Sequence, residues 1–203
     1  MNEQLQIAVQ AAIEAGEAIM EIYKQDFDVA YKKDDSPLTE ADQKANAVIM
    51  SYLEKTEFPI ISEENKQTDY STRSSWESCW IVDPLDGTKE FIKRNGEFTV
   101  NIALIEDQQP ILGVVYIPVK EEMYWAAKGL GAWKIAEGKE TRLEAATFSE
   151  EDANLRLVCS RSHLSTETED YVNRFKEPEL VSRGSSLKFL ILATGEAHIY
   201  PRL

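Results

Sequence analysis

WIVDPLDGTKEFIKRNGEFTVNIALI, residues Trp80–Ile105, changes character twice within one stretch. Trp80–Val82 is apolar and β-prone, Asp83-Pro84-Leu85-Asp86-Gly87-Thr88 interrupts it with a turn, and Phe98–Ile105 resumes as a strand rich in β-branched and apolar residues. A carboxylate at the end of a strand, a second three residues on, and a glycine-plus-hydroxyl turn together place oxygen ligands around a hard divalent cation. Mg²⁺ suits this chemistry: oxygen donors only, few of them from protein, with water and substrate phosphate completing the set. Leu85 can offer only its backbone carbonyl, Pro84 stiffens the turn, and Gly87 lets the backbone approach a phosphate. The pattern D-x-x-D-G-[ST] arises by chance in roughly one of several hundred chains of this length. The plain alternative, an Asx turn that ends a strand, stays open on these residues alone.

Downstream, ILGVVYIP (Ile111–Pro118) and MYWAA (Met123–Ala127) follow short turns, so three strands make an antiparallel meander, with a weaker strand near 133–135. Upstream, PIIS (Pro59–Ser62) and CWIV (Cys79–Val82) are short strands separated by a polar, charge-dense segment that reads as a surface loop or lid. Ser62-Glu63-Glu64 leaves the first of these strands as Asp83 leaves the second. Acids exiting adjacent strands converge at one end of a sheet, where open α/β sheets carry their sites; a solvated acidic loop is the other reading.

Between residues 3 and 25, Leu5, Ala8, Val9, Ala12, Ile13, Gly16, Ile19, Met20 and Tyr23 recur at spacings of three and four, predicting an amphipathic helix. A turn over Lys32–Pro37 leads to a second helix, N-capped by Thr39, with Ala41, Ala45, Val48, Ile49, Tyr52 and Leu53 on one face. Asp42, three residues after that cap, is either an ordinary capping acid or a fourth carboxylate in company with Glu63, Asp83 and Asp86. From about residue 150 the pattern alternates: strand 155–160, helix 166–175, strand 180–182, helix 185–193, strand 197–201. Such alternation builds a mixed or parallel sheet flanked by helices. Gly184-Ser185-Ser186, with Lys188 just beyond, can present a helix N-terminus to an anion or act as a simple cap. Without repeats or a long linker, the chain divides into packed halves, 1–150 and 151–203. Because an apolar strand ends two residues before Leu203, we expect the polypeptide to continue past that residue.

The 203 residues carry 22 Lys and Arg against 36 Asp and Glu, a formal net charge of −14, which excludes a general binder of nucleic-acid polymers. Lys89, Lys93 and Arg94 form a local basic cluster beside the acidic turn, suited to drawing in a small anion. A 43% hydrophobic content excludes general disorder. Cys79 and Cys159 sit in apolar runs and read as core filler. The first twenty residues lack a basic n-region and are interrupted by Glu3, Glu14 and Glu17, so neither a signal peptide nor a membrane span is expected. The default compartment is the cytoplasm, with peripheral association at the cytoplasmic face of a membrane left open, and oligomeric state is not legible.

TEAD (Thr39–Asp42), SEE (Ser62–Glu64), WIVDPLDGT (Trp80–Thr88) and GSSLK (Gly184–Lys188) resemble, in order and spacing, the inositol monophosphatase superfamily of Mg²⁺-dependent, lithium-sensitive phosphatases. The run from Asp83 to Ile105 is similar to its 3′(2′),5′-bisphosphate nucleotidase branch. The inositol branch more typically has T-N-F after D-G-T, where this chain has Lys89-Glu90-Phe91. The resemblance implies an α/β fold, the α-β-α-β-α layered α+β sandwich of inositol monophosphatase and fructose-1,6-bisphosphatase. It implies two or three Mg²⁺ ions and removal of the 3′-phosphate of adenosine 3′,5′-bisphosphate to give AMP, a reaction tied to sulfur assimilation. By residue, it implies Glu63, Asp83 and the Leu85 carbonyl on one metal, with Asp83 and Asp86 on another. Thr88, Glu63 and Asp42 would activate the attacking water. Glu63, Leu85, Asp86, Gly87, Thr88, Arg161, His163, Ser186, Lys188 and Arg202 would meet the substrate. For Arg161, His163 and Arg202 an ordinary surface role stays open. Family members continue into a W-D-x-A-[AG] segment, whose Asp supplies a further ligand and which does not occur here. An inositol or sugar-bisphosphate phosphatase on the same fold is the alternative enzyme, and an inactive fragment or anion-binding module is the alternative of another class.

Overall fold

The computed structural model describes residues 3–27, 29–31, 37–159 and 165–202, with backbone alone at 30, 31, 37 and 38. Helix α1 spans Glu3–Tyr23 and α2 spans Glu40–Leu53. Between them two short strands, β1 (Val29–Tyr31) and β2 (Pro37–Thr39), pair antiparallel, an element the turn residues had masked. The rest of the predicted turn, residues 32–36, lies outside the described residues.

One seven-stranded sheet follows, in the order β3-β4-β5-β6-β7-β8-β9. Its strands are β3 (Ile60–Ser62), β4 (Ser78–Asp86), β5 (Thr99–Glu106), β6 (Gln109–Ile117), β7 (Glu122–Ala127), β8 (Gly131–Ala136) and β9 (Lys139–Arg142). Every neighbouring pair is antiparallel except β3–β4, which run parallel with Ser62 opposite Val82. The meander thus forms as expected and gains β9, whose sequence Lys-Glu-Thr-Arg is wholly exposed and carries no hydrophobic alternation to betray it. Two short helices interrupt the loops: α3 (Tyr70–Arg73) in the segment after β3, and α4 (Thr88–Ile92) directly after the acidic turn.

Alternation sorts the sheet's residues by face. Trp80, Val82, Val100, Ile102, Leu104, Leu112 and Val114 are buried in one core with Leu5, Ala12, Ile19, Ile49 and Leu53 of the helix pair. Gly16 is what lets α1 approach so closely, since a Cβ there would lie 2.5 Å from Cε1 of Tyr116 on β6. The other face receives the second half of the chain. Ile117 and Tyr124 cluster with Leu187 and Leu190 of α6 (Leu187–Ala193), with Val115 packed alongside. Helices therefore cover both sides of the sheet. The remaining elements are α5 (Thr166–Val172) and a parallel pair, β10 (Arg156–Val158) and β11 (Glu179–Val181). The predicted strand at 197–201 reduces to a single bridge, Leu157 to Ile199, and the His198 Nδ1 accepts the Arg156 amide at 2.8 Å.

Both cysteines are free, Cys159 buried and Cys79 half-buried, and burial pushes both thiols up from their ordinary pKa. Thiols held neutral are poor nucleophiles and ligands, consistent with a packing role.

Candidate active site

Parallel pairing of β3 and β4 sets the first geometric fact of the site. The Glu63 amide donates to the Val82 carbonyl at 3.1 Å, continuing the ladder one step past Ser62. Glu63 and Asp83 therefore lie side by side where β3 ends, although β4 does not stop at Val82 as expected and stays paired to β5 through Asp86. Beyond Asp83 the pairing with β5 shifts by a bulge before Asp86, which re-aims that segment. Gly87 then adopts φ +97, and a Cβ on it would meet the Glu97 carbonyl at 2.9 Å. The glycine is thus demanded by the turn and the neighbouring chain.

Thr88 opens α4, and its hydroxyl donates to Oδ1 of Asp42 at 3.0 Å, with the Leu85 carbonyl at 3.4 Å. The other Asp42 oxygen accepts from both the amide and the hydroxyl of Thr39, at 2.7 and 2.6 Å, in the reciprocal geometry of a capping box. Asp42 is only 1% exposed. Both readings of this residue hold at once, because one oxygen secures α2 and the other reaches the acidic turn.

Glu63, Asp83, Leu85, Asp86, Gly87 and Thr88, with Lys89 and Glu90, line a cavity of about 220 Å³. Within it Asp83 is strained electrostatically. Its Oδ1 is sealed from solvent without a hydrogen-bond partner. Burial, followed by the charges of Asp86 and Glu63, pushes its pKa up to about 8. Among the described residues no group of three or more His, Cys, Asp or Glu side chains is gathered closely enough to hold a metal ion by itself. Asp42 is turned to Thr39 and Thr88, and Asp86 accepts from the Ser185 hydroxyl at 2.6 Å. The donor set nevertheless fits a hard cation that takes few protein ligands: oxygen atoms only, a buried carboxylate oxygen with no donor, and the Leu85 residue with its backbone carbonyl lining the same cavity.

The Gly184–Ser186 turn, expected on the nucleotide side, meets the acidic turn where Ser185 donates to Asp86. The Gly184 amide donates to Glu97 Oε2 at 2.8 Å. The Ser185 and Ser186 hydroxyls lie 2.9 and 2.7 Å from Thr99 Oγ1, and Ser186 donates to Asn101 Oδ1 at 3.1 Å. The Ser186 hydroxyl is thereby engaged with the sheet. Lys188 is half-buried in the first turn of α6, and Arg202 is exposed at the end of the described chain. Arg161 and His163 lie outside the described residues. Of the basic cluster, Lys89 lines the cavity. Arg94 turns instead to the end of α1, donating to the Tyr23 and Gln25 carbonyls and stacking over Tyr23 and Phe27.

Thr99, Asn101 and Glu97 were not foreseen as site residues. A signal existed for two of them, since Thr99 and Asn101 are polar residues two apart in an apolar strand and so share the face turned toward α6.

The sequence matches the model of the "Inositol monophosphatase family" over residues 1–203. A protein named 3′(2′),5′-bisphosphate nucleotidase CysQ from Salmonella typhimurium is 47% identical over 203 residues, covering 98% of this chain and 80% of the relative. Its namesake from Escherichia coli K12 is 48% identical over 198 residues, 95% of this chain and 78% of that one. Among solved structures, CysQ from Bacteroides thetaiotaomicron, described as a bacterial member of the inositol monophosphatase family, superposes with a TM-score of 0.82 at 44% identity. That match covers 97% of this chain and 78% of the other. An IMPase from Thermotoga maritima, 21% identical, has a TM-score of 0.81 over all of this chain and 78% of that one, a likeness of fold alone.

Proposed function

The chain belongs to the inositol monophosphatase family, and on that premise we propose that it is a Mg²⁺-dependent phosphatase that removes the 3′-phosphate of adenosine 3′,5′-bisphosphate to give AMP and phosphate. The observation that carries this reading is near-full-length identity of 47–48% to proteins named 3′(2′),5′-bisphosphate nucleotidase. The geometry agrees with it: two acids on neighbouring strands, a bulged acidic turn and Thr88 line one cavity, and Asp42 accepts the Thr88 hydroxyl.

Glu63, Asp83, Asp86 and the Leu85 carbonyl would hold the magnesium ions, two or three in number. When bound, Mg²⁺ lowers the pKa of a coordinated water and neutralises charge on the leaving oxygen. The protein supplies the proton path. Thr88 gives its single hydroxyl proton to Asp42 Oδ1, so its own lone pairs are left to accept a proton from a water in the cavity. Asp42, fixed by Thr39 and shielded from solvent, receives the proton that Thr88 passes on. Glu63 orients that water from the adjacent strand. Gly87 and the half-buried Lys188 face the phosphate and nucleotide, with Ser186, Arg161, His163 and Arg202 as further contacts.

The division of labour follows the chain: residues 1–150 carry the metal site and 151–203 supply the nucleotide side. Lithium inhibition, a place in sulfur assimilation and a cytoplasmic site of action belong to the same reading. No helix among the described residues is long and apolar enough to cross a membrane. The test is phosphate release with Mg²⁺ from adenosine 3′,5′-bisphosphate, inositol 1-phosphate and fructose 1,6-bisphosphate side by side. The nucleotide is expected to turn over fastest; equal or faster hydrolysis of inositol phosphate overturns the assignment.

A further inference from the structure

Thr99 is fully buried and polar, at the first position of β5, and it has no part in the proton path above. Its Oγ1 sits 2.9 Å from Ser185 Oγ and 2.7 Å from Ser186 Oγ. Ser185 donates onward to Asp86 Oδ2 at 2.6 Å, and Ser186 donates to Asn101 Oδ1 at 3.1 Å. With the Asn101 carbonyl oxygen facing Ser186, these four contacts share only three hydroxyl protons, one from each of Thr99, Ser185 and Ser186. One contact therefore always lacks a proton while Ser185 points at Asp86. The count closes once the Asp86 oxygen is satisfied by something else. Ser185 then donates to Thr99, Thr99 to Ser186 and Ser186 to Asn101, and every contact has its proton.

We infer that Thr99 is a positioning residue that ties the Ser185–Ser186 turn to the Asp86 carboxylate, so that cation binding at Asp86 and the geometry of the nucleotide-facing turn set one another. This rests on the functional reading given above. Two other observations place the turn where it can transmit such a change. The Gly184 amide is pinned to Glu97, and a Cβ at Gly87 would come within 3.0 Å of Ser185 Cβ, so the turn and the acidic loop are in contact.

The experiment compares the full chain with Thr99→Val, Thr99→Ser and Ser185→Ala, titrating Mg²⁺ by calorimetry and by the rise in melting temperature, and measuring KM and kcat for adenosine 3′,5′-bisphosphate. Thr99→Val keeps the shape of the side chain and removes its hydroxyl. We expect it to weaken Mg²⁺ binding about tenfold, the upper end of the effect of one neutral hydrogen bond, and to raise the substrate KM. Thr99→Ser restores both to within about twofold, and Thr99→Val combined with Ser185→Ala is no worse than either alone because the two residues act through one chain of bonds. An unchanged Mg²⁺ titration in Thr99→Val, or the same tenfold loss when Thr99→Val is added to Ser185→Ala, overturns the inference. Absence of any Mg²⁺ binding by the unaltered chain would overturn the functional reading itself, so the two failures are distinguishable. Should Thr99→Val not fold, the Ser185→Ala titration decides alone: it removes the hydroxyl that occupies the Asp86 oxygen in the cation-free state, so Mg²⁺ should bind more tightly, and unchanged or weaker binding overturns the inference.

Discussion

At the scale of single residues, two carboxylates of the candidate site, Asp83 and Asp42, are held in opposite ways. Asp83 is half-buried with one oxygen sealed from solvent, and burial together with the charges of Asp86 and Glu63 pushes its pKa up to about 8. An acid whose folded pKa lies above its unfolded value binds more protons in the native state, so between its ordinary 3.8 and about 8 it makes the cation-free protein less stable as pH rises. Asp83→Asn should therefore raise the stability of the cation-free protein at pH 8 by roughly 1–3 kcal/mol and flatten its pH dependence, while abolishing phosphatase activity. Thermal melts in chelator across pH 5–9 are the check. Asp42 is held differently, with Thr39 donating twice to one of its oxygens and Thr88 to the other. Asp42→Ala should lower kcat by about 10²–10⁴, and chemical denaturation should show a loss of about 1–2 kcal/mol from the broken helix cap.

Among secondary-structure elements, the contact of α1 with the sheet depends on a missing side chain. Gly16→Val would drive a branched Cβ into the Tyr116 ring and toward Pro118, whose Cγ would be 3.2 Å from that Cβ. We expect about 1–3 kcal/mol of destabilisation from overpacking, read as a lower denaturant midpoint at unchanged slope. Elements were legible in the sequence where periodicity was strong. The alternation through Phe98–Ala127 marked β5, β6 and β7, and the spacing of Leu5, Ala8, Ala12 and Ile19 marked α1. It was weak where elements are short or polar. β9 has four exposed residues, and α4 lasts five residues after a turn that masks its start. The convergence of Glu63 and Asp83 followed from reading acids at strand ends. The hydroxyl network of Thr99 did not, because it depends on a turn about 86 positions away in sequence.

The whole molecule carries a formal charge of −14, and part of that acidity is concentrated at one end of one sheet. Adding Mg²⁺ at a hundred times its Kd should stabilise the chain by about 2.7 kcal/mol, well beyond the effect of NaCl at matched ionic strength. Differential scanning calorimetry separates the two; equal shifts would mean general screening and no specific site. The opposite settings of Asp83 and Asp42 have a further consequence, this time for descent. In a lineage released from selection for catalysis, losing Asp83 would relieve the fold, whereas losing Asp42 would undo the start of α2. Decay would run in one direction, so a silent relative of this protein is expected to have shed the strand-end acid while keeping the one that holds its helix.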